Sequence, residues 1–348
     1  MQMNPLGRTG LNVSALCLGS MTWGTQTTEA DGHIQIDTAL NAGINFIDMA
    51  EMYPVNPVSK ETAGRTEAII GTWNAANPGR RGDYILATKV SGAGNKAVRD
   101  GAPITATSIA TAIEGSLKRL QTDYIDLYQL HWPNRGSYMF RQNWSYDPTG
   151  QDTADVLGNM EECLEELDRQ VQRGTIRHIG LSNESAWGTS QWLRIAEARG
   201  LPRMQSVQNE YSLMCRLYDL DMAELSHHED VGLLSFSPLA AGLLTGKYQG
   251  GEIPQGSRRS LVPEMSGRYT PRALAAVDAY LDIAQRHGLD PVHMALAWCV
   301  ARPFMASAIF GATTQPQLEI VLGAADVRLS DEVIEEIAAA HKAHPMPY

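Results

Sequence analysis

Three short apolar segments of the chain each end in a side chain that can carry or transfer a proton. Asp48 closes the first segment, Lys89 the second and His131 the third, and Tyr53 stands five residues after Asp48. A carboxylate and an ammonium group beside a phenol can hold a proton and give it to an oxyanion as that anion forms. The residue types therefore predict an acid/base site, provided that the fold brings the segment ends together.

The four side chains have complementary chemistry. A tyrosine with a pKa of about 10 is a weak acid at neutral pH, but a lysine ammonium about 4 Å away, at an effective dielectric constant of about 20, would lower that pKa to about 7. Asp48 would keep Lys89 charged, and His131 would donate a hydrogen bond to a substrate oxygen. A structural reading makes Asp48 and Lys89 a buried salt bridge and Tyr53 an ordinary loop aromatic, but four such residues in order at three strand ends argue against a coincidence.

The order of the predicted elements places these side chains in one parallel barrel. After a small hairpin over residues 1–14, short apolar segments alternate with segments of helical periodicity. Strands each followed by a helix favour a single (β/α)8 TIM barrel domain over residues 1–348. A doubly wound sheet would normally carry Gly-x-Gly-x-x-Gly after its first strand, and Leu18–Gly24 does not match. The predicted strands are Ala15–Gly19, Ile44–Asp48, Tyr84–Val90, Ile125–His131, Ile176–Ser182, Gln205–Gln208, Leu233–Ser237 and Ser307–Phe310.

Three long loops are predicted at the carboxyl ends of strands, at residues 54–64, 132–152 and 240–270. Barrels of this kind carry their sites on that face, and loops of this length are often functional. Trp23 and Trp132, each just past a strand end, are predicted to wall a substrate pocket together with Tyr53 and His131. An apolar rim of this kind predicts bulky or aromatic carbonyl substrates.

Composition excludes several classes of partner. The net charge is −11 and no run of basic residues exceeds Arg80–Arg81 or Arg258–Arg259, so neither nucleic acid nor an anionic membrane is expected. The four cysteines are far apart and form no Cys-x-x-Cys, which is typical of reduced cysteine in a cytoplasmic protein. The pair His227–His228 with Glu224 lacks further ligands, so no metal is expected. The oligomeric state is left open.

The amino-acid sequence around the four side chains resembles that of the aldo-keto reductase family. The agreement includes Gly43–Asp48, Asp123–Tyr128 and Ile179–Asn183, and it extends from Leu6 through Leu318. Within the family the chain is similar to the branch of the bacterial Tas-type proteins and the potassium-channel β subunits. The resemblance implies reduction of an aldehyde or ketone with NADPH (NADP+ in the reverse direction) and a catalytic tetrad of Asp48, Tyr53, Lys89 and His131.

The resemblance also implies a set of cofactor contacts. Ser182, Asn183 and Gln208 match residues that bind the nicotinamide carboxamide, and Tyr211 matches an aromatic that stacks on the ring. Arg258 matches the 2′-phosphate region, although Arg258–Arg259 also reads as a solvated pair. The remaining implied contacts are Thr22, Trp23, Phe236, Ser237, Pro238, Leu239, Gly242, Leu243, Lys247, Gly311, Thr313 and Gln317.

One departure and two rival functions accompany the resemblance. Relatives commonly carry Glu-Asn where this chain has Ile320 and Val321, which removes polar partners for the adenine edge. The likeness to channel subunits allows a cofactor-binding regulatory subunit with little turnover. A Schiff-base lyase with Lys89 as nucleophile is the second rival, but a neighbouring Asp48 favours a charged amine.

Overall fold

Eight parallel strands close into a barrel in the computed structural model, which describes all 348 residues. The strands follow one another around the ring in chain order, and the last pairs with the first. The predicted (β/α)8 barrel is therefore confirmed. Its strands are β3 (Leu16–Gly19), β4 (Phe46–Asp48), β5 (Ile85–Val90), β6 (Ile125–Leu130), β7 (Ile176–Ser182), β8 (Met204–Glu210), β9 (Gly232–Phe236) and β10 (Met305–Gly311).

The predicted hairpin is also present, and it closes one end of the barrel. Its strands are β1 (Met3–Pro5) and β2 (Asn12–Ser14), paired antiparallel. Leu6 and Val13 belong to the same buried cluster as Phe46 and Ile85, which lie at the beginnings of their strands. The opposite end, where the strands finish, is therefore the open mouth.

Eleven helices surround the barrel, and several begin at side chains that cap the free backbone N–H groups. Thr105 forms a capping box with Ser108, and Asp152 accepts from the N–H groups of Ala154 and Asp155. The helices are α1 (Glu29–Asn41), α2 (Arg65–Ala76), α3 (Ala106–Leu120), α4 (Thr153–Gln172), α5 (Ala186–Arg199), α6 (Asp221–Glu229), α7 (Arg258–Leu261), α8 (Pro271–Arg286), α9 (Pro291–Val300), α10 (Gln315–Leu322) and α11 (Asp331–Ala343).

Side chains alternate between two apolar layers along each strand. Residues such as Leu86 and Val207 face outward and pack under the helices, whereas Ala87, Leu127 and Leu234 face the barrel interior. Along each of these three strands, the next inward-facing residue is two positions further on and therefore lies closer to the mouth. No helix is both long and apolar enough to cross a membrane.

Candidate active site at the barrel mouth

Asp48 and Lys89 form a buried ion pair at the carboxyl ends of adjacent strands. Alternation from Phe46 and Ala87 directs both side chains inward. Lys89 Nζ donates to Asp48 Oδ2 at 2.6 Å and to the carbonyl oxygen of Met49 at 2.7 Å, and its side chain is fully buried. Burial alone would lower the pKa of Lys89, but Asp48 and Tyr53 raise it above its ordinary value. The amine is therefore charged.

Tyr53 and His131 lie next to the ion pair of Asp48 and Lys89. Lys89 Nζ lies 5.1 Å from the centroid of the Tyr53 ring, and the Tyr53 and His131 rings meet edge-on with centroids 5.8 Å apart. Lys89 and His131 are held together because β5 and β6 are neighbours, so that His131 N donates to the carbonyl oxygen of Val90. All four predicted side chains therefore lie together in one cluster at the mouth of the barrel.

Lys89 lowers the pKa of Tyr53 as predicted, but the net pKa of the phenol still lies above its ordinary value. Burial raises the pKa of the phenol above its ordinary value, and Lys89 opposes this without reversing it, while Asp48 raises the pKa further. The charges of Lys89 and Asp48 partly cancel at Tyr53, so desolvation decides the direction. Tyr53 is consequently a protonated donor at neutral pH.

His131 is a neutral imidazole. Burial lowers its pKa well below the ordinary value, and the charge of Lys89 lowers it further. The ring nitrogen Nδ1 is buried without a hydrogen-bond partner. A neutral imidazole carries one N–H, which suits a group that donates a hydrogen bond to a substrate oxygen without transferring its own proton.

Two glutamines, Gln208 and Gln129, complete the floor of the site, and sequence reasoning missed Gln129. Gln208 Nε2 donates to Asp48 Oδ1 at 2.8 Å and to Gln129 Oε1 at 3.1 Å. Gln129 Nε2 lies 3.2 Å from the same carboxylate oxygen. Gln129 follows the interior residue Leu127 by two positions, so strand alternation was the signal that could have identified it.

The side chain of Asn183 has a hydrogen-bond acceptor without a partner. Asn183 has a left-handed backbone with φ of 54° and is almost completely buried. Its Nδ2 donates to the His131 carbonyl oxygen at 2.9 Å and to Ser182 Oγ at 3.1 Å, whereas Oδ1 is buried without a partner. An unsatisfied buried oxygen is costly and calls for an external donor such as a carboxamide. The predicted cofactor contact of Asn183 therefore fits the structure.

The segment after β9 has the backbone of an anion site. Ala240, Ala241 and Gly242 follow one another with φ values of 49°, 56° and 97°. Successive N–H groups in such conformations form concavities that bind anions. A Cβ at Gly242 would approach Lys247 Nζ to 3.3 Å, and Lys247 forms no ion pair. An unpaired ammonium beside this backbone fits a phosphate group.

The predicted adenosine contacts lie around β10 and β3. Thr313 N and Oγ1 both donate to Gln317 Oε1, at 2.9 and 3.0 Å. Arg258 is half-buried, has no carboxylate partner, and places Nη2 3.7 Å from Met21 Sδ, in the loop after β3. Because Gly311 pairs with Gly19, this guanidinium stands near the β3/β10 edge of the mouth.

The departure at Ile320 and Val321 has two different structural consequences. Ile320 remains 46% exposed, whereas Val321 is buried in the core between barrel and helices. Val321 thus packs within the core and leaves only Ile320 at the surface, where its side chain has no hydrogen-bonding group.

Two predicted contacts are corrected by the structure. Tyr211 is fully buried: its ring stacks on Trp298 with centroids 5.4 Å apart, and its hydroxyl donates to Asp219 at 2.6 Å, so no ring face is free for a cofactor. Trp23 is also fully buried and packs so closely under Gly32 that a Cβ there would lie 3.1 Å from its ring. Trp23 is therefore a core residue and does not wall a pocket with its side chain.

A half-buried aromatic residue at a strand end was expected at Tyr211, but the structure has it at Phe236. It follows the interior residue Leu234 by two positions, so its side chain faces the barrel interior at the mouth. The segment continues with Ser237, which has φ of 55°, and with buried Pro238 and half-buried Leu239. Leu243 is buried in the core and serves to anchor this segment.

Trp132 lies where the sequence predicted it. Its ring is half-buried, with its centroid 4.8 Å from that of His131 and 6.4 Å from that of Phe140. Its Nε1 donates to the carbonyl oxygen of Ala93 at 3.0 Å. A Cβ at Gly92 would overlap the indole nitrogen, so this glycine permits the ring to sit against the loop. Trp132 and Phe140 form an apolar wall beside His131.

The fold and site define a (β/α)8 barrel with a cluster of four titratable side chains at the carboxyl ends of its strands. A family model described as Aldo/keto reductase family matches residues 15–342. The chain is 43% identical over 356 residues to Protein tas of Escherichia coli (strain K12), covering 100% of this chain and 99% of that protein. It therefore belongs to the aldo/keto reductase family and is an oxidoreductase.

Two further relatives fit this assignment. The chain is 32% identical to an uncharacterized oxidoreductase, YrpG, of Bacillus subtilis (strain 168), with 96% of this chain and 94% of that protein covered. It is 31% identical to a probable voltage-gated potassium channel subunit beta of Oryza sativa subsp. japonica, with 99% and 98% covered. The resemblance to the Tas-type and channel-subunit branch of the family is confirmed.

Proposed function

We propose that this chain reduces an aldehyde or ketone to an alcohol with NADPH and that Tyr53 is the general acid. The observation that carries the proposal is the buried ammonium of Lys89, which is fixed by Asp48 and lies against the ring of Tyr53, beside His131. A charge fixed in this position stabilises a phenolate at the moment when Tyr53 loses its proton.

Each side chain has one task in this mechanism. Bound NADPH would supply the hydride to the carbonyl carbon. The N–H of His131 donates a hydrogen bond to the carbonyl oxygen, and Tyr53 gives its proton to that oxygen. Lys89 stabilises the resulting phenolate, which then takes a proton from water. Asp48 keeps Lys89 charged and in place.

The cofactor assignment is supported by groups that have no partner within the protein. Asn183 Oδ1 is a buried acceptor for an amide N–H, and Lys247 is an unpaired cation beside a left-handed backbone segment. Arg258 is a third such group, a cation without a carboxylate. One unpaired hydrogen-bond acceptor and two unpaired cations around one mouth suit a ligand with a carboxamide at one end and phosphates at the other.

The proposal is tested by following NADPH oxidation with a panel of aromatic and aliphatic aldehydes and ketones. Reduction of some of them by the purified protein, with NADH as the weaker donor, is the expected result. The absence of turnover across the whole panel would contradict the proposal. Our proposal puts the reaction in the cytoplasm, where the four unpaired cysteines would stay reduced.

A second candidate function is a cofactor-occupied regulatory subunit. Two plant relatives, 31% and 29% identical, carry the name of a probable voltage-gated potassium channel subunit beta. Such a protein would retain NADPH through purification and turn over more slowly than once in minutes. Single-turnover oxidation of bound NADPH by the preferred aldehyde separates the two functions.

A lyase that uses Lys89 as a nucleophile is not favoured. Schiff-base formation needs the neutral amine, whereas Asp48 and Tyr53 keep the pKa of Lys89 above its ordinary value. Borohydride treatment in the presence of a carbonyl compound should therefore leave Lys89 unmodified, and a stable adduct at Lys89 would favour the lyase.

A further inference from the structure

A narrow cleft adjoins the catalytic mouth. Its cavity volume is about 20 Å³, and eight of its twelve lining residues are hydrophobic. Small-molecule sites have this composition of apolar walls and a few polar groups. We name it the side cleft and define it by Tyr138, Phe140, Arg141, Asn143, Met214 and Tyr348.

The position of the side cleft relates it to the reacting groups. Glu210, which also lines it, ends β8 two residues after Gln208, and residues so spaced on a strand face the same side. Glu210 thus lies one layer above the bond from Gln208 to Asp48. The wall residue Phe140 packs edge-on against Trp132, which contacts His131. A substrate held by His131 could therefore extend into the side cleft.

Two hydrogen-bond donors in the side cleft lack partners. Arg141 Nη1 donates to Glu210 Oε2 at 2.9 Å, but Arg141 Nε is buried and unpaired. Asn143 Nδ2 is likewise buried and unpaired. Leaving such donors unsatisfied is costly, so two of them in one cleft indicate a place for an external acceptor.

The charges around the side cleft favour an anionic acceptor. Glu210 is shared between Arg141 and Arg268, the latter at 2.8 Å. The third arginine, Arg216, is paired with Asp219 at 2.5 Å. Arg141 and Arg268 therefore share a single side-chain carboxylate. Consistent with this sharing, burial and the nearby Arg268 lower the pKa of Arg141.

We propose that the side cleft is a specificity subsite for a carboxylate at the far end of the carbonyl substrate. Arg141 Nε and Asn143 Nδ2 donate to the carboxylate oxygens, and Tyr138 and Phe140 contact a flat apolar spacer. The substrate class is then an aromatic aldehyde or ketone with an anionic group opposite its carbonyl. This inference rests on the proposed carbonyl reduction.

The inference is tested with two matched substrates, 4-carboxybenzaldehyde and methyl 4-formylbenzoate. The wild-type enzyme should prefer the carboxylate in kcat/KM. Arg141→Met and Asn143→Ala should each lower kcat/KM for the carboxylate by about tenfold or more and leave the ester nearly unchanged. Arg328→Gln, which removes an exposed arginine without an acid partner, is the control for net charge.

The outcomes separate the inference from the function on which it rests. If neither aldehyde nor any other carbonyl compound is reduced, the proposed function fails. If both are reduced equally and the two variants leave the ratio unchanged, the donors are merely hydrated and the subsite is refuted. Asn143→Ala leaves both ion pairs of Glu210 intact, so it decides the matter even if Arg141→Met does not fold.

A second readout does not depend on turnover. Binding of 4-carboxybenzaldehyde to the Tyr53→Phe enzyme loaded with NADP+ is measured by calorimetry, alone and with Arg141→Met added. About tenfold weaker binding with the added substitution, and no change for the methyl ester, supports the subsite. Equal binding in both proteins overturns it.

Discussion

Gln208 Nε2 donates to Asp48 Oδ1 at 2.8 Å across the full width of the barrel, because β8 and β4 stand on opposite sides of the ring. Gln129, on β6 midway between them, contacts both side chains. The carboxylate that holds Lys89 is therefore hydrogen-bonded from the opposite wall, which makes the floor of the candidate site a connected polar layer.

The first prediction concerns Gln129. Gln129→Leu removes a donor to Asp48 and the acceptor for Gln208, and hydrogen bonds to charged groups contribute about 1.5–3 kcal/mol. We expect kcat to fall about tenfold while the KM for NADPH changes little. Gln170→Leu is the control, since this similarly buried glutamine bonds to Glu166 outside the mouth. Equal kcat in Gln129→Leu and wild type would show that the anchor has no catalytic role.

The second prediction is a pH profile. Burial raises the pKa of Tyr53, so the protonated form that reduction needs persists through neutral pH, and His131 stays neutral because its pKa lies well below 6.5. We expect kcat/KM for reduction to be flat from about pH 7 to about pH 9 and to fall above about pH 10. Alcohol oxidation, which needs the phenolate as base, should instead rise with pH. A reduction rate that falls between about pH 7 and about pH 8 would contradict this assignment.

The third prediction concerns Lys247. If its unpaired ammonium binds a cofactor phosphate, Lys247→Met should weaken NADPH binding about tenfold to a hundredfold and leave kcat at saturating NADPH unchanged. Fluorescence titration of the cofactor measures the first effect. Lys96→Met, which removes an exposed lysine that forms no ion pair, should leave binding unchanged. An unaltered dissociation constant for Lys247→Met would exclude the contact.

The fourth prediction concerns Glu210, which joins the long loops of the active face. Arg141 lies in the loop 132–152 and Arg268 in the loop 240–270, and both bond to this carboxylate. Glu210→Gln leaves two buried guanidinium groups without an anion, which should cost about 3 kcal/mol. We expect a lower Tm, measured by calorimetry, and faster proteolysis within the two loops. Glu335→Gln, at an exposed position of α11, should have neither effect. Unchanged loop proteolysis in Glu210→Gln would argue against a role of Glu210 in holding the two loops together.

Much of the fold was readable in the sequence because strand and helix segments alternate throughout. The alternation gave the barrel and the hairpin, although it did not separate α10 from α11 or indicate the short helix α7. The strand ends also located Asp48, Lys89 and His131, since the carboxyl ends of barrel strands converge at one mouth.

The errors have identifiable physical causes. Tyr211 stands three positions after the inward-facing Gln208, so alternation along the strand already indicated the outer layer, where it packs on Trp298. The burial of Trp23 depends on its contact with Gly32, which no local pattern reveals. The pKa of Tyr53 depends on how deeply the phenol is buried, and that depth is a property of the folded chain.

The central claim is that Tyr53 donates the proton, and Tyr53→Phe tests it most directly. The substitution removes only the hydroxyl, so NADPH should bind with nearly unchanged affinity while kcat for the best aldehyde falls by about a thousandfold or more. Single-turnover kinetics with cofactor titration measures both quantities in one preparation. A Tyr53→Phe enzyme that reduces the aldehyde at close to the wild-type rate would contradict the account.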